Sequence, residues 1–137
     1  MDIKAWLSQY RSADRYARKC AELAEDARQT LRSPNFDRVP RRSLPFNLDY
    51  TMEKLEIQEE KLTRAKEKAL ALLAEIEDAI DQLEDYDQKQ VLRDRWISGM
   101  SWQDIAEDCY LSERSVYYIH QKALAELEKI LKEELND

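Results

Sequence analysis

Glycine occurs once in this chain, at Gly99, and proline three times, at Pro34, Pro40 and Pro45. A single glycine rules out the glycine-rich loops that cradle phosphates. Few chain breakers, set among many Ala, Leu, Glu, Lys and Arg residues, make the composition that of an all-helical protein. Long apolar runs are also missing. That removes a membrane-spanning helix and a signal-peptide core, so no membrane partner is expected and the expected location is cytoplasmic. The one histidine, His120, excludes an HExxH zinc motif and argues against a Ser/His/Asp arrangement, so the chain reads as a non-enzyme. Cys20 and Cys109 are far apart, with no CxxC or Cys/His cluster, and neither a metal site nor a cofactor is expected. Both fall on apolar helix faces and read as small buried side chains in a reducing compartment.

A basic excess is missing too. The net charge is −7, opposite in sign to that of most nucleic-acid binders. Its distribution is uneven: residues 1–45 carry +4, residues 46–85 carry −7, residues 86–124 carry −1 and residues 125–137 carry −3. The acid is concentrated in the middle of the chain and is most simply the solvated face of a helix.

What is present is helical periodicity. Ile3, Trp6, Tyr10, Ala13, Ala17, Cys20, Ala24, Ala27 and Leu31 alternate spacings of three and four, which predicts one helix over residues 2–32 with a narrow, alanine-rich stripe. Asp2 is placed to cap its start, and Ser33-Pro34 to stop it. Residues 33–48 hold all three prolines with Arg38, Arg41 and Arg42, and read as a Pro/Arg-rich connector. Its Phe36, Val39, Leu44 and Phe46 are expected to pack in part along the helices. Leu55, Leu62, Ala69, Ile76 and Leu83 then repeat every seven residues, joined by Leu73 and Ile80, which predicts a second helix over 50–84 capped by Asp49 or Thr51. Such a helix spans about 50 Å at about 1.5 Å per residue, and its stripe must be covered. The expected arrangement is an N-terminal helical hairpin, coiled-coil-like, over residues 1–85.

Residues 86–137 read as a separate three-helix domain. Its first helix turns Val91, Leu92 and Trp96 inward and ends at Ser98-Gly99-Met100, with Gly99 suited to a left-handed cap. Ser101 to Leu124, SWQDIAEDCYLSERSVYYIHQKAL, has the spacing of a helix-turn-helix. Ser101 and Asp104 form an acidic variant of the capping box, and Ala106 is the small residue where two helices cross. Ser112 caps the second helix, whose Val116 and Ile119 face back. Trp96 and Trp102 read as core anchors.

In such a unit the exposed N-terminal face of the second helix meets base edges. Here that face carries Glu113, Arg114, Ser115, Tyr117, Tyr118, Gln121 and Lys122. Arg114 suits guanine, Gln121 suits adenine, and the tyrosines suit a thymine methyl or a phosphate. Arg93, Arg95 and His120 are the expected phosphate contacts. With six acids against five bases over residues 86–124, affinity is expected to be low and salt-sensitive unless a dimer, the basic connector or a protein partner assists.

These residues carry a resemblance. Residues 87–127 are similar to region four of bacterial RNA polymerase sigma factors through Leu92, Gly99, Ile105, Ala106, Ser112, Val116, Ile119, Lys122, Ala123 and Leu124. Ser101, Trp102, Ile105, Ala106, Val116, Ile119, His120, Ala123 and Leu124 resemble more closely the phage and prophage sigma-like regulators, the RinA-like and ArpU-like late activators. Tyr110 stands where the sigma family usually has glycine, and no region-two-like segment is evident. The resemblance implies transcription control on promoter double-stranded DNA by a homodimer or monomer, with RNA polymerase as a further partner. Two other classes are compatible with the residues: a protein-only adaptor for RNA polymerase or a regulator, and a DNA-packaging protein like a phage small terminase subunit.

Overall fold

The structure, a computed structural model, describes residues 2–32 and 44–136. It is all-α. The elements are α1 (Ile3–Arg32), α2 (Leu44–Asp81), α3 (Tyr86–Leu92), a π-helical turn (Arg93–Ile97), α4 (Trp102–Cys109) and α5 (Glu113–Asn136). They form two compact units, one of Met1–Ser12 with Leu70–Asp137 and one of Ala13–Ala69. No described helix is long and apolar enough to cross a membrane.

Asp2 caps α1 as its position predicts: its Oδ1 accepts from the amides of Lys4 at 3.1 Å and Ala5 at 3.4 Å. In the Ala13–Ala69 unit, Ala17 and Cys20 of α1 are buried with Ala65 of α2, and Leu62 packs against them. Further along the same two helices, Arg28 pairs with Glu59 at 3.2 Å. Rising numbers on α1 thus meet falling numbers on α2, which makes the pair an antiparallel hairpin. Alanine on both faces removes the bulk that would otherwise separate the axes.

α2 starts earlier than periodicity predicts. Residues 44–48, expected as connector, are helical, so Asp49 and Thr51 lie inside α2 rather than at its cap. Pro45 explains this: in a first helical turn the amide that proline lacks has no intrahelical acceptor to lose. The rest of the expected connector, with Phe36, Arg38, Val39, Arg41 and Arg42, lies outside the described residues.

The core of the other unit is built from both ends of the sequence. Ile3 and Leu7 of α1 meet Ile76, Ala79, Ile80 and Leu83 of α2, Leu92 of α3, and Ala123, Leu124, Leu127 and Leu131 of α5. The second half of α5 therefore packs on the end of α2 instead of extending into solvent. Leu7 is fully buried although the stripe read from sequence runs through Trp6 and Tyr10, which are only half-buried. The Ile3–Leu7 column, one turn apart on α1, faces the other helices. Truncating a leucine in such a place costs about 2–5 kcal/mol.

A smaller core of Val91, Ile105, Ala106 and Val116, flanked by Met100, Trp102, Cys109 and Ile119, holds α3, α4 and α5 together. Asp85 caps α3, accepting from the amides of Asp87 at 2.9 Å and Gln88 at 3.2 Å. The helix then widens into its π turn, closed by the Ser98 amide on the Arg93 carbonyl at 3.0 Å. Gly99 follows at φ +74, and a Cβ there would lie 2.7 Å from Nη2 of Arg11. Glycine is favoured there by the backbone, since its φ is in the left-handed region, whereas the Arg11 guanidinium is the end of a flexible side chain that could move aside.

Candidate nucleic-acid interface

α4 and α5 form the predicted helix-turn-helix. Ser101 Oγ accepts from the Asp104 amide at 3.1 Å, which opens α4. α4 closes in a Schellman arrangement: the Leu111 amide donates to the Ala106 carbonyl at 3.0 Å and the Tyr110 amide to Glu107 at 3.3 Å. The left-handed residue of that motif is Tyr110, at φ 57 and ψ 38. Ser112 then caps α5, its Oγ accepting from the Ser115 amide at 3.1 Å and lying 2.9 Å from Ser115 Oγ. Val116 is buried against Ile105 and Ala106, which fixes the rotation of α5 about its axis.

That rotation places the predicted site residues. Glu113, Arg114, Ser115, Tyr117, Tyr118, Gln121 and Lys122 are all exposed. Lys122 Nζ rests 4.6 Å from the centre of the Tyr118 ring, and Tyr117 meets the edge of Trp102 with centroids 5.8 Å apart. Positive charge and aromatic surface therefore sit side by side on one helix face. The acids Asp104, Glu107 and Asp108 of α4 are exposed as well.

The three expected phosphate contacts fare differently. Arg93 is ion-paired with Asp81. Arg95 donates to the Met100 carbonyl at 3.0 Å and lies 4.4 Å over the Trp102 ring, so its guanidinium braces the approach to α4. His120 is a correction: it is 1% exposed, and its Nε2 accepts from Trp96 Nε1 at 3.0 Å. A phosphate cannot reach it. The bond pattern puts the ring proton on Nδ1, which has no partner among the described residues. Burial, followed by the positive charges of Lys4 and Arg95, pushes its pKa down to about 4, so the ring is neutral near pH 7. Trp102 packs edge-on against it at 4.6 Å. His120 thus belongs to an aromatic chain that runs from Trp96 through Trp102 to the exposed Tyr117.

One exposed residue of this region was not among the predicted contacts. Tyr110 is 94% exposed and projects from the turn that joins the two helices. Its signal in the sequence was a bulky residue at a turn position that favours glycine.

No curated protein and no solved structure matches the chain. Residues 48–128 match a protein family, and the matched segment includes most of α2, all of α3 and α4, and the exposed first half of α5. Because the match spans more than half of the sequence, the chain belongs to the family described as protein of unknown function (DUF1492).

Proposed function

We propose that this chain is a sequence-reading, phage-type transcription regulator that lays the first half of α5 in the major groove of promoter DNA. The observation that carries the reading is the helix-turn-helix itself, with Arg114, Ser115, Tyr117, Tyr118 and Gln121 all outward on α5 while Val116 and His120 anchor its inner face. Arg114, in the first turn, is the base-reading cation, suited to the two acceptors of guanine. Gln121, two turns on, offers the donor and acceptor that adenine requires. Tyr117 and Tyr118 supply apolar contact to thymine methyls, and the positive end of the α5 dipole favours a nearby phosphate. The sigma-like pattern of residues 87–127 adds RNA polymerase as the second partner in this reading.

Selection from a random duplex pool, followed by sequencing, tests it. A single enriched motif that is lost in the Arg114→Ala, Gln121→Ala variant is the expected result. No enrichment at low or moderate salt overturns autonomous DNA reading and favours an adaptor that binds protein alone.

A further inference from the structure

Behind the helix-turn-helix lies a charge that its packing does not explain. Asp94, in the π turn, is only 7% exposed. Its Oδ1 accepts from Gln90 Nε2 at 3.0 Å, whereas Oδ2 has no hydrogen-bond partner among the described residues. A buried carboxylate oxygen without a partner is costly. Its surroundings make matters worse. Burial and then the charge of Asp108 push the Asp94 carboxyl up, and burial followed by Asp94, Asp108 and Asp87 pushes the Cys109 thiol up. The charges that raise these two groups are those of neighbouring acids.

We propose that Asp94, Asp108 and Cys109 form a binding site for a divalent transition-metal ion of the zinc class. One ligand atom from each of the three lies within 4.8 Å of the other two. Tetrahedral coordination with bonds of about 2.0–2.3 Å needs ligand atoms about 3.3–3.8 Å apart. The closure required is at most about 1–1.5 Å; rotation of the exposed Asp108 side chain shortens its own distances to the other two ligands, and the Asp94–Cys109 pair closes by adjustment of those two side chains. Two carboxylates and a sulfur suit a borderline ion better than calcium or magnesium, which prefer oxygen alone.

Water takes the fourth position. A cleft of about 380 Å³, lined by Asp87, Gln90, Asp108, Cys109 and Leu111 among others, reaches two of the three ligands, Asp108 and Cys109, and Gln90, the hydrogen-bond partner of Asp94. Asp94 lies in the π turn that ends the α3 segment.

The chemistry balances without a co-reactant. The Cys109 thiol gives its proton to solvent and binds as thiolate, and any proton on Asp94 leaves the same way. An ion bound through Oδ2 would satisfy that orphaned oxygen and offset the local negative charge. Asp108 and Cys109 are the last residues of α4, directly before Tyr110, so the ion would tie the end of that helix to the π turn.

The test uses the full chain, stripped with chelator and titrated with cobalt(II). The expected result is a thiolate-to-cobalt charge-transfer band that zinc abolishes by displacement, together with a rise of several degrees in Tm on zinc addition. Cys109→Ser and Asp94→Asn should each lose the band. Asp94→Asn keeps the acceptor for Gln90 and should melt no lower than the unaltered chain in chelator. Asp108→Asn, a surface change, should weaken cobalt binding by roughly tenfold or more. Cys20→Ser should keep the band. Absence of a band in the unaltered chain overturns the site, as does a band that survives Cys109→Ser or Asp94→Asn.

Discussion

Tyr110 shows how far one residue can depart from its backbone preference. A non-glycine side chain in the left-handed region carries a penalty of about 1–2 kcal/mol, and Tyr110 sits there at φ 57 with 94% of its surface open to solvent. Burial of the side chain does not offset that penalty. Strain of this kind on an exposed residue points to use, and its place beside α5 makes it a further DNA contact in the proposed function. Tyr110→Gly should therefore stabilise the fold by roughly 1 kcal/mol, a few degrees in Tm, while weakening binding to the selected DNA motif. Thermal unfolding and a binding titration on one preparation check both signs. The strain was visible in the sequence as a tyrosine where a turn favours glycine. The burial of His120 was not: a polar ring one turn after Val116 shares the inward column of α5, and only the structure shows Trp96 waiting to donate to it.

Helix α5 works with two faces of opposite demand, and its inner face makes stability depend on pH. His120 is held near a pKa of about 4 against an unfolded value near 6.5. The unfolded chain thus takes up a proton that the folded chain refuses. The sign follows: His120 favours folding fully above about pH 6.5, and that advantage is lost as pH falls toward 4, in total roughly 3 kcal/mol. Among the described residues the groups acting on it are Lys4 of α1, Arg95 and Trp96 of the π turn, Trp102 of α4, and Tyr117 on its own helix, and none of these is an acid that would offset the new charge. Denaturant unfolding between pH 7.5 and 4 should show this decline. The difference between the unaltered chain and His120→Gln isolates it, because glutamine still accepts from Trp96 but does not titrate.

At this scale the sequence was informative about existence and less so about edges. Seven-residue spacing revealed α2, but the start at Leu44 depended on a proline that reads equally well as loop. The π turn at Arg93–Ile97 left no periodic trace, since closing one residue later than an α-turn does not change which residues are apolar.

The whole molecule has an acidic balance of charge, and its helix-turn-helix itself exposes Asp104, Glu107, Asp108 and Glu113. Its net charge is −7, and the first half of α5 exposes Arg114 and Lys122 while Arg93 and Arg95 are engaged within the fold. Each phosphate neutralised contributes about −0.9 to the slope of log affinity against log salt. A module that relies on these two cations should show a slope of about −2, and a bound dimer about −4, measured by anisotropy on the selected duplex. A much steeper slope would mean that cations outside α5 carry the binding. Charge totals were fully legible in the sequence. The meeting of Asp94 with Asp108 and Cys109 was not, because it depends on how α4 crosses the π turn, a tertiary fact that no local pattern encodes.

The unit that bears α5 takes Ile3 and Leu7 from one end of the sequence and Leu127 and Leu131 from the other. During synthesis the first pair leaves the ribosome long before the second, so this core cannot close until the chain has emerged through Leu131. The hairpin of Ala17, Cys20, Leu62 and Ala65 closes over far fewer intervening residues and is available much sooner. A chain arrested before Leu127 would therefore hold a formed hairpin beside an exposed apolar surface of Ile76, Ile80 and Leu83, the kind of intermediate that chaperones capture.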